Sequence, residues 1–131
     1  MKIIQSLHTA ILVSDLDKAE HFYSSVLGLT KIDRQLKFPG IWYQIGHYQL
    51  HLMMHPDVEI TRWNPEKWGR NAHIAFEIDS LEEVKQQLIA YGCNFKLSSS
   101  GRSALFTQDP DGNILELQQI SRLSWDGEIE R

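Results

Sequence analysis

Two hydrophobic periods alternate along this chain, and the alternation occurs twice. Leu7–Val13 is apolar and rich in β-formers, the mark of a half-buried strand. Ser14 or Asp15 can cap a following helix. In that helix Ala19, Phe22, Tyr23, Val26 and Leu27 recur at three- and four-residue spacing on one face. Gly28 stands where a terminating glycine belongs. Strands are expected over Thr30–Gln35, Ile41–Ile45 and Tyr48–Met54, the last two joined by Gly46-His47 in a II′ turn. The same order then returns. Ala72–Ile78 reads as a strand, and Ser80 with Glu83 reads as a capping box. Leu81, Val84, Leu88 and Tyr91 form a helical stripe. Asn94–Leu97 and Ala104–Thr107 read as strands, Asp109-Pro110-Asp111-Gly112 as a turn, and Asn113–Gln119 as the closing strand.

The two copies align from His8 and His73, 65 residues apart. Each has a polar pair six and seven positions later, a Leu at the eighth, and a helix stopped by Gly28 or Gly92. The expected fold class is α+β, with two βαβββ modules at about residues 4–55 and 70–120 inside a single domain, 1–131. Linker 56–69 holds two prolines and two tryptophans, so it reads as an ordered connector. The tail after Ser121 shows no clear pattern and is expected to fray.

Composition narrows the function. The chain has 131 residues, 42% hydrophobic and 23% charged, as in a soluble globular domain. A net charge of −4 with scattered basic residues argues against a nucleic-acid or anionic-membrane partner. One cysteine, Cys93, excludes an intramolecular disulfide, and it reads as an inert thiol. No run reaches the roughly 18 apolar residues of a membrane span. The opening Met1-Lys2-Ile3-Ile4-Gln5 turns polar too soon for a signal-peptide core. The expected location is cytoplasmic.

The repeat also aligns residues of metal-ligand type. His51 follows His8 by 43 residues, and Glu116 follows His73 by 43. Copies related by a pseudo-twofold axis can bring all four side chains to one point. Glu116 is the sharpest case: a carboxylate between Leu115 and Leu117 needs a counter-charge, which a divalent cation supplies. The alternative is two structural histidines, one surface histidine and a glutamate on a solvent-facing strand.

With these residues in view, the chain resembles the vicinal oxygen chelate superfamily. That superfamily includes glyoxalase I, fosfomycin-resistance proteins, methylmalonyl-CoA epimerase, bleomycin-resistance proteins and type I extradiol dioxygenases. The resemblance runs over about residues 4–120. It rests on His8-x-x-Ile11-x-Val13-x-Asp15-Leu16-x-Lys18-x-x-x-Phe22-Tyr23-x-x-x-Leu27-Gly28-Leu29 and on Asp109-Pro110-Asp111-Gly112-Asn113-x-x-Glu116. It implies paired modules whose sheets curl around a metal site. His8, His51, His73 and Glu116 match the ligand positions, for a divalent ion such as zinc, nickel, cobalt, manganese or iron. The implied function is a metal-dependent lyase or isomerase of the glyoxalase-like branch, acting on a small oxygen-rich substrate. Its metal acts as a Lewis acid and Glu116 is the candidate base. A homodimer is the expected assembly.

Departures from the family pattern constrain the substrate. His51 stands where glyoxalase I usually has Glu. Leu12 replaces an Arg, and Met53-Met54-His55 replaces a stretch with Asn, which argues against glutathione conjugates. Phe106 and Ala104 replace the Tyr and Ser of a phosphonate pocket. An iron-dependent extradiol-type dioxygenase would use His8, His73 and Glu116, but His51 would crowd its open face. The third reading is a non-catalytic small-molecule-binding protein of the resistance type, whose relatives generally lack the ligands. Trp42, Arg70 and Arg102 are candidate substrate-binding residues, against a core tryptophan and two surface arginines. Arg102, after Gly101, would serve as a cationic hook for an acidic substrate. Trp63 and Trp68 would cover the site or meet a second copy.

Overall fold

The computed structural model describes residues 1–120 and the backbone of two short strands beyond them. The reading of a frayed tail after Ser121 lies outside the described residues, those two strands apart. The chain divides into two compact units, Met1–Ile60 and one beginning at Thr61.

The first unit runs β1 (His8–Val13), α1 (Leu16–Glu20), a π-wound continuation (His21–Val26), β2 (Thr30–Lys31), β3 (Gly40–Ile45) and β4 (Tyr48–Met54). Its sheet has the order β1-β4-β3-β2. The second runs from a 3₁₀ turn (Trp68–Arg70) through β5 (His73–Ile78), α2 (Leu81–Ala90), β6 (Phe95–Leu97), β7 (Ala104–Gln108) and β8 (Ile114–Gln119). Its sheet has the order β5-β8-β7-β6. After it, β9 (Ser124–Trp125) and β10 (Glu128–Ile129) pair antiparallel. The architecture is thus α+β, with two four-stranded mixed sheets of one topology.

Both sheets are built in the same register. β1 pairs parallel to β4 with Ala10 opposite His51, and β5 pairs parallel to β8 with Ala75 opposite Glu116. Across the antiparallel neighbour, Trp42 faces His51 and Phe106 faces Glu116. Side chains alternate along each strand. Leu50, Leu52, Ile41 and Tyr43 therefore share one buried face of the first sheet. The helix closes that face, with Ser24 Oγ 2.8 Å from the Tyr43 hydroxyl and the rings of Tyr23 and Tyr43 5.9 Å apart. His8, Trp42 and His51 are left on the opposite face. In the second sheet Leu105, Thr107, Leu115 and Leu117 form the corresponding buried face, leaving His73, Phe106 and Glu116 on the other.

The helices show how sequence sets their ends. Asp15 Oδ1 accepts from Lys18 N at 3.1 Å and Ser80 Oγ from Glu83 N at 3.1 Å, so each start is capped. The second helix ends in a Schellman motif: Gly92 N donates to Ile89 O at 3.0 Å and Cys93 N to Leu88 O at 2.8 Å, with Gly92 at φ +70°. The first differs. Its histidine-to-glycine spacing is one residue longer, and the extra residue is absorbed by five-residue closure, with Leu27 N donating to Phe22 O at 3.0 Å.

Three expectations need correction. The strand expected over Thr30–Gln35 stops at Lys31, because Asp33-Arg34-Gln35 offers no apolar face to bury. Tyr91 leaves the α2 stripe: it sits on the helix cap and is exposed, so Leu88 is the fully buried anchor. The two connector tryptophans part company. Trp68 is buried with Phe106 and Ile114, whereas Trp63 is exposed.

Candidate functional site

In the first unit, His8 and His51 stack at 4.2 Å between ring centroids. On the other side of His51 the Trp42 indole lies flat at 3.7 Å, and the Arg34 guanidinium lies over that indole at 4.1 Å. The result is a continuous stack of guanidinium, indole and two imidazoles. His51 Nε2 meets Gln49 Oε1 at 2.8 Å. That amide is oriented by its own donation to Gln44 Oε1 at 3.0 Å, and Gln44 in turn donates to the Gly46 carbonyl at 2.7 Å. Gln49 Oε1 can only accept, so His51 donates from Nε2 and a neutral ring keeps its lone pair on Nδ1. Burial, with His8 and Arg34 nearby, lowers the His51 pKa below its ordinary value and favours that neutral ring. Trp42 Nε1 is buried with no hydrogen-bond partner among the described residues.

In the second unit, His73 Nδ1 donates to the Asn71 carbonyl at 2.7 Å, and Nε2 lies 3.2 Å from Glu116 Oε1. Asn71 is fixed in turn. Its amide donates to the carbonyls of Asn64, Lys67 and Trp68 at 2.8, 3.2 and 3.1 Å, and its Oδ1 accepts from Asn64 N at 2.8 Å. Phe106 stands edge-on to His73 at 5.5 Å. The Glu116 carboxylate is buried. Arg102 Nη2 lies 3.2 Å from Oε2, near enough to pair charges but not aligned to donate, so Oε2 has no hydrogen bond among the described residues.

A neutral His73 that donates from Nδ1 has only a lone pair at Nε2. Nε2 and an ionised Oε1 are then two acceptors facing each other at 3.2 Å, an arrangement that needs a proton or a metal cation between them. Together with the orphaned Oε2, this makes the pair chemically fit to hold a divalent ion. Among the described residues no three His, Cys, Asp or Glu side chains cluster as a metal site would need; His8 lies beside His51, and His73 beside Glu116.

The remaining sequence candidates fall as follows. Trp42 is half-buried in the histidine stack. Arg70 and Arg102 line one cavity of the second unit, and Arg102 also reaches Glu116. His47 and His55 are exposed. Cys93 is half-buried, which pushes its thiol pKa up and agrees with an inert role. Sequence reasoning missed Arg34, Gln49 and Asn71 as positioning residues, because asparagine, glutamine and a lone arginine match no ligand pattern. The position of Asn71, two residues before His73 on the strand entry, was the available signal.

Two βαβββ units, each with a pair of ionisable side chains on the sheet face away from its helix, define a paired-module class of fold. A family model described as the Glyoxalase/Bleomycin resistance protein/Dioxygenase superfamily matches residues 5–117, and the chain belongs to that superfamily. It is 29% identical to a lactoylglutathione lyase of Neisseria meningitidis, over 86% of this chain and 88% of that protein. It is 27% identical to the mitochondrial methylmalonyl-CoA epimerase of Mus musculus, over 86% and 71%. A fosfomycin resistance protein from Listeria monocytogenes superposes with a TM-score of 0.69, covering 90% of this chain and 91% of that one at 21% identity, a likeness of fold alone. Members of the superfamily bind small molecules and generally use divalent metals. No described helix is long and apolar enough to cross a membrane.

Proposed function

We propose that this protein is a metal-dependent lyase or isomerase of the glyoxalase-like type, acting on a small oxygen-rich substrate. His8, His51, His73 and Glu116 would hold the divalent ion, and the two modules would work as one domain in a cytoplasmic homodimer. The observation that carries the reading is the facing pair His73 Nε2 and Glu116 Oε1, 3.2 Å apart, with the tautomer set by the Asn71 carbonyl. The names of the relatives, lactoylglutathione lyase and methylmalonyl-CoA epimerase, support the reaction class.

When bound, the ion would supply Lewis-acid stabilisation of the oxyanion that forms on a substrate with neighbouring oxygens. The chain's own residues do the rest. Glu116 accepts a proton at Oε2, the oxygen that no donor holds, and returns it to the adjacent substrate carbon. The neighbouring Leu115 and Leu117, both buried, keep water from the strand that carries it. Arg102 holds a charge beside that carboxylate. The Asn71 carbonyl and Gln49 Oε1 accept from the two imidazoles, leaving a lone pair on Nε2 of His73 and on Nδ1 of His51.

The test is elemental analysis of the purified protein, followed by turnover of α-oxo, hemithioacetal and 2-epimerisable acyl substrates. One ion per site and turnover restored by added metal are expected. A protein that takes up no ion under any loading condition overturns the reading. A yellow ring-cleavage product from catechol after anaerobic iron loading would instead assign a dioxygenase.

A further inference from the structure

The segment between β2 and β3, residues 32–39, brings Arg34 to the histidine-bearing face of the first sheet. Both of its ends are tied to that sheet: Ile32 N donates to Trp42 O at 2.8 Å, and Met54 N to Pro39 O at 3.0 Å. Its apolar side chains close on Gly40, where an added Cβ would stand 2.5 Å from Leu52 O, 3.2 Å from the Phe38 ring and 3.4 Å from Leu36 Cδ1. The segment is therefore seated on the sheet, and the Arg34 guanidinium rests on the Trp42 indole at 4.1 Å.

That guanidinium has a face in use and an edge that is not. The face meets the indole, while the N–H donors lie in the guanidinium plane, around its edge. None of them finds an acceptor among the described residues, the carboxylate of Asp33 next to it in the chain included. In the layer beneath, Trp42 Nε1 is buried with no acceptor either. Two successive layers of the stack thus hold donors and nothing to receive them. The charged groups that act on His51 are His8 and Arg34, with no carboxylate among them. Arg34 is exposed, so a ligand can reach its edge. A cation held in place without a counter-charge, above a donor without a partner, is one half of an ion pair.

We propose that Arg34 receives a carboxylate of the substrate, and so selects an acid whose carboxylate stands apart from its reacting oxygens. One guanidinium offsets one negative charge, and its fork matches two coplanar oxygens, which suits a carboxylate better than a dianion. The separation follows from the stack. Arg34 and His51 lie on opposite faces of one indole, at 4.1 and 3.7 Å from it, so the acid group docks two layers away from the nearer imidazole. An oxo acid with several bonds between carbonyl and carboxylate is the simplest molecule of that shape. Its assignment as substrate rests on the reading of His8 and His51 as part of the reaction site, whereas the carboxylate site at Arg34 does not.

The experiment titrates the full-length, chelator-treated protein with 4-oxopentanoate and, separately, with the uncharged 4-oxopentanamide. Binding is read by calorimetry and by the indole N–H signals in a proton–nitrogen correlation spectrum. Of the four tryptophans, Trp42 is assigned as the signal lost in Trp42→Phe. The acid should bind saturably and more weakly as salt is added, with the Trp42 signal moving along the same isotherm, and the amide should not saturate. Arg34→Gln should weaken binding by about tenfold. Arg34→Lys should restore only part of the loss, because an ammonium lacks the planar fork. Lys31→Gln, on β2 and already paired with Glu20, should leave binding unchanged. Absent saturation, equal affinity for the amide, or unchanged affinity in Arg34→Gln overturns the proposal. A loss that follows Arg102→Gln in place of Arg34→Gln seats the acid in the second unit and overturns it too. Because no metal is present in the titration, a failed metal reading shows in the elemental analysis and leaves this result standing.

Discussion

The two modules place their chemistry at the same lattice points and fill those points differently. Position 51 on β4 and position 116 on β8 sit opposite an alanine on one neighbour and an aromatic on the other. In the first module the aromatic is Trp42, the occupant is His51, and the result is a flat stack capped by Arg34. In the second the aromatic is Phe106, edge-on to His73, and the occupant is Glu116, which draws in Arg102. Identical backbone frames therefore set where a donor stands, while the ring beside it sets how it is held. Stacking orients an imidazole without competing for its nitrogens. A carboxylate gains nothing from an aromatic face and must find a cation.

The comparison can be broken most severely at Glu116. Glu116→Gln keeps size and register but removes the proposed base, so the proposed proton-transfer turnover should fall by about 10²–10⁴-fold while some metal is retained. Steady-state kinetics with elemental analysis checks this, and equal turnover would reject the role. In the other module His8→Ala should lower metal affinity by more than about 100-fold, since outer-shell changes alone cost about 10–100-fold. It should also lower the metal-dependent part of the melting temperature, read by a competitive chelator titration and thermal unfolding with and without metal.

The next test asks whether the second module depends on its connector. Asn71→Ala removes three donations and one acceptance, for a loss of about 2–3 kcal/mol in urea unfolding. A change below a few tenths would mean the hub is not what orders residues 64–71. The smallest effect sharpens the symmetry. Asp15→Ala and Ser80→Ala each remove one cap bond, so each should cost about 1 kcal/mol in the same assay. Unequal costs would show that the π-wound helix and the regular one are held differently.

Most of the frame was legible because it depends on periodicity and punctuation. His8, Gly28, His73 and Gly92 mark both modules, and Ser80 with Glu83 marks the second helix start. The π winding was visible only as a one-residue excess in spacing, which does not say where a helix widens. That His8 lies beside His51 and His73 beside Glu116 was legible from the equal 43-residue spacings. What holds them was not. The Gln44–Gln49 relay and the Asn71 hub use amides, whose value depends on which carbonyl lies near, and strand pairing decides that. The basic cavity was legible only through Arg70 and Arg102. Lys67 and Lys96 lie 29 residues apart and line one cavity with Arg70 and Arg102 because β6 runs beside the connector.

The shared register has an engineering consequence. Because positions 51 and 116 share one register, each opposite an alanine and an aromatic, a glutamate placed at 51 would occupy the position that Glu116 holds in the other half. A duplicated half of this kind lets mutation retune the charge delivered by one half while the other keeps a working copy of the geometry.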